Sequence, residues 1–260
     1  MNPVGTGARA RRFRSRSWLA WALLGALVGG PAVAADESAD RCSDSGSALH
    51  DNGSISLFGA AVKSGAPRIA VLGTGSAGQV GAVEHSWPET FKEALAKRLP
   101  GAMLQVSVAS RKAETAEQQL KSLPGLLAAK PSLLIWQTGT VDAVRHVDVT
   151  EFSEVLIDGI DQARRAGADI VLVGPQFSPR ASALVNFTRH ITVMAQIARA
   201  YDVPFLDRYE LMQGWAEDGR VDLAGDKSTW PAAAKFVHDC VGRQLADLIA
   251  VTAGLDGATR

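Results

Sequence analysis

The sequence predicts a three-layer α/β/α sandwich built on a five-stranded parallel sheet. Two observations support this fold class. Short, almost wholly apolar runs alternate along the chain with longer segments whose apolar residues recur at helical spacing, and glycine, proline or capping residues separate the two kinds of segment. Strands that are apolar on both faces are typical of parallel sheets covered by helices on both sides.

Five apolar runs are the predicted strands. Their sequences are RIAVLG at 68–73, AMLQVSVAS at 102–110, SLLIWQTG at 132–139, DIVLVGPQ at 169–176 and VPFLDR at 203–208. In sheets of this kind, ligands bind beyond the carboxyl ends of the strands. The segments in which a site is expected are therefore GTGSAG, ASRKAE, GTVDAV and GPQFSPR.

Helix signals lie between these runs. Ser86 and Glu89 form a predicted capping box, and Thr150 is the predicted cap of a later helix that Gly167 closes. The predicted helices begin at about 87, at about 114 with an interruption at Pro124-Gly125, and at 151; the segment 182–201 is predicted as one long amphipathic helix, and the last helix covers about 232–253.

The first 35 residues have the pattern of a bacterial export signal. A basic segment precedes the apolar run WLAWALLGALVGG, and small residues follow at Ala32, Ala34 and Ala35. The alternative is a membrane anchor, but the apolar run of about 13 residues is shorter than the roughly 20 that span a bilayer. The predicted division is a signal peptide at 1–35, an N-terminal arm at 36–65, one domain at 66–254 and a tail at 255–260.

Removal of the signal changes the charge balance. The whole chain has 27 basic and 27 acidic side chains, and the signal holds five of the arginines and no acid, so the mature chain carries an excess of five negative charges. Such a balance gives no indication of a nucleic-acid partner. The mature chain is also expected to have no membrane span.

The chain has two cysteines, Cys42 and Cys240, near the two ends of the predicted mature protein. In an oxidising compartment, an even pair of cysteines at opposite ends of one domain favours a disulfide that fastens the N-terminal arm to the last helix. The alternative is two unpaired thiols.

The glycines Gly73, Gly75 and Gly78 follow the G-x-G-x-x-G pattern of a dinucleotide-binding loop. In such a loop the helix begins among the glycines, whereas here the next helix signal waits until Ser86. The acidic residue that would bind the ribose is also missing, since the second strand ends in Ser110-Arg111. We therefore expect no cofactor. No metal site is expected either, because Asp142, Asp148 and Asp158 have no ligand spacing with any histidine.

Four segments resemble those of exported SGNH-type (GDSL-like) hydrolases in order and spacing. They are IAVLGTGSAGQVGAVEHSWPETFKEALAKRLPG, PSLLIWQTGTVDAV, GADIVLVGPQFSPR and VPFLDRYELMQGW, and the resemblance runs from about Ala66 to Ile249. It implies a flavodoxin-like α/β/α fold. Proteins of that family are esterases, deacetylases and acyltransferases, many of them acting on carbohydrate esters.

The residues that the resemblance aligns with the family's catalytic positions depart from its pattern. Gly75, in Gly73-Thr74-Gly75, stands where the family has its nucleophilic serine, and glycine has no nucleophile. ASRKAETA lacks the family's oxyanion glycine, and Val141 in Gly139-Thr140-Val141 replaces its oxyanion asparagine. Trp230 stands at the histidine position and Lys227 at the aspartate position.

These departures lead to two hypotheses. The first is a catalytically inactive, exported binding or accessory module for a polysaccharide or acylated sugar of the cell envelope, or for an envelope protein. The second is an active esterase or deacetylase of acylated carbohydrate with Ser76 as nucleophile, His238 as base and Asp222 or Asp226 to orient it. His85 and His146 also lie on predicted loops at the same edge of the sheet. The expected pocket residues are Gly73, Thr74, Ser76, Gly139, Thr140 and Asp142.

Overall fold

A six-stranded sheet forms the centre of the computed structural model, which describes residues 41–43, 47–78 and 86–255. The predicted signal peptide, His85 and the tail beyond Leu255 lie outside the described residues. The strands are β1 (Leu49–His50), β2 (Arg68–Gly73), β3 (Gln105–Ser110), β4 (Leu133–Gln137), β5 (Asp169–Val173) and β6 (Phe205–Leu206). Their order across the sheet is β1-β6-β5-β4-β2-β3.

The prediction of an α/β/α fold with five parallel strands is confirmed, and the structure adds a sixth strand. Strands β2 to β6 pair in parallel. Strand β1 pairs antiparallel with β6, with Leu49 opposite Leu206 and His50 opposite Phe205. It comes from the N-terminal arm and has only two residues. A segment that short has no apolar period, so the sequence pattern did not indicate it.

Ten α-helices cover the described residues. They are α1 (Ser56–Lys63), α2 (Trp87–Arg98), α3 (Ala116–Leu120), α4 (Leu123–Leu127), α5 (Thr140–Val144), α6 (Val149–Arg165), α7 (Pro179–Ser182), α8 (Thr188–Ala200), α9 (Arg208–Glu217) and α10 (Trp230–Thr252).

Three helix predictions need correction. The helix predicted from about 114 is interrupted at 121–122, and Pro124 and Gly125 lie inside α4. The segment 182–201 is not one helix, because α7 ends at Ser182 and α8 begins only at Thr188. The side chain of Asn186 accepts a hydrogen bond from the backbone N–H of Thr188, and this local turn replaces the helical bonds in the gap. Helix α6 is capped by Asp148 rather than Thr150, since the Asp148 carboxylate accepts the backbone N–H of Thr150. The predicted capping box of Ser86 and Glu89 is present at α2.

Alternate residues of the strands point to two cores, one on each face of the sheet. Val71, Ile135 and Val173 pack with α2 and α10 on one face. Leu72, Trp136 and Leu172 pack with α6 and α8 on the other. Among the described residues, no helix is long and apolar enough to cross a membrane.

Helices α2 and α10 pack closely against each other, and α10 is joined to the N-terminal arm by a disulfide. A glycine, Gly242, allows the close packing: a Cβ there would lie 2.6 Å from the backbone nitrogen of Phe91. Cys42 and Cys240 are bonded to each other, as the sequence predicted. The amide of Gln244 also donates to the backbone oxygen of Cys42 at 2.6 Å. The arm is therefore fixed to the same helix that carries His238.

Candidate ligand-binding site

A cavity of about 520 Å³ opens at the carboxyl ends of the parallel strands. All four segments in which the sequence predicts a site contribute to its wall, and α9, α10 and the turn before α10 complete it. The strand loops supply Thr74, Gly75, Ser76, Lys112, Ala113, Thr140, Val141, Gln176, Phe177 and Ser178. The remaining wall includes Arg208, Met212, Asp222, Leu223, Trp230, Val237 and His238.

Gly75, at the family's nucleophile position, lies in the cavity wall at the start of a short 3₁₀ turn, Gly75–Ala77. A Cβ built on Gly75 would lie 3.5 Å from Cγ of Lys112, which is an ordinary van der Waals contact. Its φ is outside the left-handed region. Neither space nor backbone conformation therefore requires glycine here, and the Cβ of a larger residue would fit.

The hydroxyl of Ser76 lies in the same wall and accepts two hydrogen bonds. Nε2 of Gln137 donates to Ser76 Oγ at 2.8 Å, and Nη1 of Arg208 donates to it at 3.0 Å. The indole N–H of Trp87 donates to Oε1 of Gln137 at 2.8 Å, which fixes the orientation of that amide because indole can only donate. No histidine or carboxylate in the described ranges accepts the Ser76 proton.

Arg208 is a buried cation at the base of this cavity. It is 2% exposed, and its Nε has no hydrogen-bond partner. Apart from Ser76, it contacts the neutral oxygen Oε1 of Gln176, at 3.5 Å. Burial lowers the pKa of Arg208 to about 10, so the group stays protonated at neutral pH. In the part of the chain that the structure describes, Arg208 forms no salt bridge.

His238 is buried on the α10 side of the cavity, and its Nδ1 accepts the backbone N–H of Trp87 at 2.9 Å. Burial, and then the positive charge of Arg208, lower its pKa to about 4. Neutral His238 therefore carries its proton on Nε2. With one nitrogen accepting and the other protonated, the ring has no free lone pair with which to act as a base.

The carboxylates that the esterase hypothesis assigns as orienters bond within their own turns. Oδ1 of Asp226 accepts from the backbone N–H of Ser228 at 2.8 Å and from its hydroxyl at 2.5 Å, and these bonds lower the pKa of Asp226. Oδ1 of Asp222 accepts the backbone N–H groups of Ala224 and Gly225. In this structure Ser76, His238 and Asp226 are not joined by hydrogen bonds.

Two loops of the cavity wall, those that follow β3 and β4, contain residues with a positive φ. Gly139 has φ 89° and begins the turn into α5, where the Thr140 hydroxyl accepts the backbone N–H of Gln176 at 3.2 Å. Ala113, in the segment that lacks a glycine, has φ 60°, a region that costs a residue with a Cβ about 1–2 kcal/mol. Val141 adds a methyl surface to the wall and no donor.

Asp142 and His146, two residues that the sequence places near the site, do not line this cavity. Asp142 lines a separate cavity of about 730 Å³. Its Oδ1 accepts the backbone N–H of Ala116, its Oδ2 has no partner, and burial raises its pKa. His146 is exposed at the end of α5. Gly73 and Gly139 shape the turns behind the wall rather than lining it, while Trp230 lies at its rim and is 46% exposed.

One group of side chains in the described part of the chain has ligating atoms close enough for a metal ion: His50, Asp207 and Glu210. Each carboxylate already has a structural role. Asp207 caps α9 by accepting the backbone N–H of Glu210, and Glu210 accepts from Ser47. Helix capping and attachment of the arm explain this cluster.

Sequence reasoning missed the polar groups that hold Ser76, namely Arg208 and Gln137. Gln137 lies inside the predicted strand 132–139, and the sequence analysis gives it no functional role. Arg208 follows the apolar run VPFLD at the carboxyl end of a strand, so its position was a usable signal.

We expect His238 to make stability depend on pH between about 4 and 6.5. The folded pKa of about 4 is below the ordinary value of 6.5, so the unfolded chain binds more protons in this window. The contribution is complete above pH 6.5 and is lost as the pH falls towards 4, by about 3 kcal/mol in total. His238→Gln, whose amide oxygen can accept the Trp87 N–H, removes the titration. Urea unfolding of both proteins at several pH values would test this; parallel curves would contradict it.

A family model for the Non-GDSL lipase-like family matches residues 41–255. No curated protein compared with this sequence matches it.

Solved structures of hydrolases share the fold. TesA has 22% sequence identity and a TM-score of 0.56, over 70% of this chain and 99% of its own. A lipase/acylhydrolase from Enterococcus faecalis has 19% identity and a TM-score of 0.54, over 70% of this chain and 96% of its own. A catalytic mutant of Axe2, an acetylxylan esterase from Geobacillus stearothermophilus, has 15% identity and a TM-score of 0.56, over 72% and 94%. At these identities the likeness establishes the fold.

Proposed function

Because the chain belongs to the Non-GDSL lipase-like family, within the SGNH/GDSL-type superfamily, we propose that it uses a hydrolase fold to bind a ligand rather than to hydrolyse one. The observation that carries this proposal is the hydroxyl of Ser76. Its oxygen accepts from Arg208 and Gln137, and no described histidine or carboxylate takes its proton. A serine nucleophile needs such a base.

The other catalytic positions support the same proposal. Gly75 offers no nucleophile, Val141 offers no oxyanion donor, and Nδ1 of His238 is occupied by the Trp87 N–H. Loss of one oxyanion donor alone typically costs about 100- to 1,000-fold in rate. The cavity itself persists, which is what a binding module requires.

We place this module outside the cytoplasm, as an exported protein of the bacterial envelope. The signal-peptide pattern at 1–35 and the disulfide between Cys42 and Cys240 support this location, because disulfides persist in oxidising compartments. The ligand that we propose is an acylated glycan of the envelope. Trp230, at the cavity rim, offers an aromatic face for a sugar ring. The fold likeness to an acetyl-xylooligosaccharide esterase is compatible with this class.

We expect the protein without residues 1–35 to bind acetylated xylooligosaccharides without turning them over. Calorimetry would measure binding, and release of acetate or of nitrophenol from nitrophenyl acetate would measure hydrolysis. The expected rate equals that of buffer, and a serine-directed fluorophosphonate probe should leave the protein unlabelled. Gly75→Ser, which the cavity can accommodate, should not restore activity, because a base and the donor lost at Val141 would still be missing.

The competing hypothesis is an esterase that uses Ser76. One feature favours it: the Arg208 guanidinium beside Ser76 Oγ would stabilise an alkoxide. Ser76→Ala separates the two hypotheses. Hydrolysis that disappears in Ser76→Ala would refute the proposed function, whereas equal and negligible rates in both proteins would support it.

A further inference from the structure

Arg208 is a buried positive charge that has no negative partner among the residues that the structure describes. Within the described part of the chain, two of the five N–H groups of its guanidinium have acceptors, and both acceptors, Ser76 Oγ and Gln176 Oε1, are neutral. Nε is buried, and no described residue accepts its proton. A buried charge that lacks a counter-ion is costly to the folded state, so buried arginines are usually paired.

The surroundings of Arg208 increase this cost. Arg208 is the first residue of α9, a helix of ten residues, and its side chain therefore starts at the positive end of the helix dipole. Among the acidic residues nearby, Asp207 caps the helix and Asp222 is held by backbone N–H groups of its own turn. The described residues thus supply an anion-binding position that their own carboxylates do not fill.

We propose that this position receives the carboxylate group of a ligand, bound by Arg208 at the base of the cavity. The proposal rests on the proposed function in that it uses the same cavity. A carboxylate matches the planar guanidinium, and its single negative charge balances the single charge of Arg208. A phosphate monoester, with a charge of about −1.5 to −2, would overcompensate it.

The other residues of the cavity wall determine which kind of molecule can carry the carboxylate. Phe177, Met212, Leu223 and Val237 give the wall an apolar surface, and Trp230 adds an aromatic one at the rim. A cavity of about 520 Å³ is within the roughly 300–1,000 Å³ range of small-molecule sites. Two sources of the carboxylate therefore fit: an aliphatic acid, whose chain would contact the apolar wall, and an acidic sugar, which would stack on Trp230.

The test measures binding of two carboxylate probes, octanoate and glucuronate, to the protein without residues 1–35 by calorimetry. Octanol and glucose are the neutral counterparts, and octyl phosphate tests the preference for a single charge. We expect saturable binding of at least one carboxylate probe, at least tenfold tighter than its neutral counterpart and tighter than octyl phosphate. Whichever probe binds identifies the source of the carboxylate. Equal binding of the neutral counterparts, tighter binding of octyl phosphate, or no binding of either carboxylate probe would overturn the proposal.

Substitutions at Arg208 test whether it is the anion-binding group. Arg208→Met should weaken carboxylate binding by about 10- to 100-fold, the loss expected for hydrogen bonds to a charged group. It should leave the melting temperature without ligand unchanged or higher, because it removes a buried charge that no described carboxylate neutralises. Arg199→Met, an exposed position in α8, is the matched control and should bind like the unaltered protein.

Arg208→Lys keeps the charge but loses the planar donor fork, so we expect intermediate affinity, and this variant decides the question if Arg208→Met does not fold. Unweakened binding in either variant would overturn the proposal. If Arg208→Met loses much stability without ligand and Arg208→Lys binds the carboxylate as well as the unaltered protein, Arg208 is a structural residue and the proposal is likewise overturned. Ester hydrolysis, measured separately, decides the proposed function and does not depend on these results.

Discussion

Replacement of Cys42 and Cys240 together by alanine is expected to lower the free energy of unfolding by about 5 kcal/mol. The bridge closes a loop of 198 residues, and without it the unfolded chain gains the entropy that the loop had removed. Alanine is chosen because both positions are buried, and a serine hydroxyl there would add a cost of its own. The measurement is urea unfolding of the oxidised protein and of the double variant.

Two further observations distinguish the bridge from the side chains themselves. When the disulfide of the unaltered protein is first reduced, its free energy of unfolding should equal that of the double variant. The double variant should also show a larger dependence of the unfolding free energy on urea, because its unfolded state is less compact. A loss of less than about 1 kcal/mol would mean that the contacts of the arm, and not the covalent bond, hold it to α10.

The disulfide is attached to a helix that also forms part of the cavity wall. Cys240 lies two residues after His238 on α10, and Val237 and His238 both line the cavity. The arm that the bridge holds also supplies strand β1. This strand pairs with β6, which ends at Leu206, two residues before Arg208. The covalent link thus ties the arm to α10, on one side of the cavity, and the β1–β6 pairing ties it to the strand ahead of Arg208.

The sequence predicted the layers and the strand ends, because buried parallel strands are short, continuous apolar runs that can be recognised without knowledge of distant contacts. It placed the cavity wall correctly at four loops for the same reason. It could not predict the bonds among Ser76, Gln137, Trp87 and Arg208, which join residues between 50 and 132 positions apart. Side-chain pairing over such distances depends on packing that no local pattern encodes.

Asp142 illustrates a second limit. Thr140, Val141 and Asp142 are consecutive, and the sequence groups two of them as pocket residues at one strand end. In the structure these residues form the start of α5, where each residue turns by about 100° from the one before. Thr140 and Val141 consequently face the cavity, while the Asp142 carboxylate turns to the backbone of Ala116 on the other side.

Gly242→Ala is expected to destabilise the fold by about 3 kcal/mol or more, because the added methyl group would clash with backbone atoms of α2. Its Cβ would lie 2.6 Å from the backbone nitrogen of Phe91 and 2.8 Å from the backbone oxygen of Trp87. Backbone atoms of α2 cannot rotate away as a side chain can, so α2 and α10 must separate. Thermal and urea unfolding would measure the loss.

The matched control is Gly125→Ala in α4, where a Cβ meets no atom within 4 Å. There the higher helix propensity of alanine should leave stability unchanged or raise it by up to about 1 kcal/mol. Separation of α2 and α10 would also lengthen the bond from the Trp87 N–H to Nδ1 of His238, which crosses the same interface. We therefore expect Gly242→Ala to raise the pKa of His238 towards its ordinary value, visible in the ring-proton resonances. An unchanged stability in Gly242→Ala would show that the close packing of α2 and α10 does not stabilise the fold. The cavity residues on α10 could then move without loss of stability.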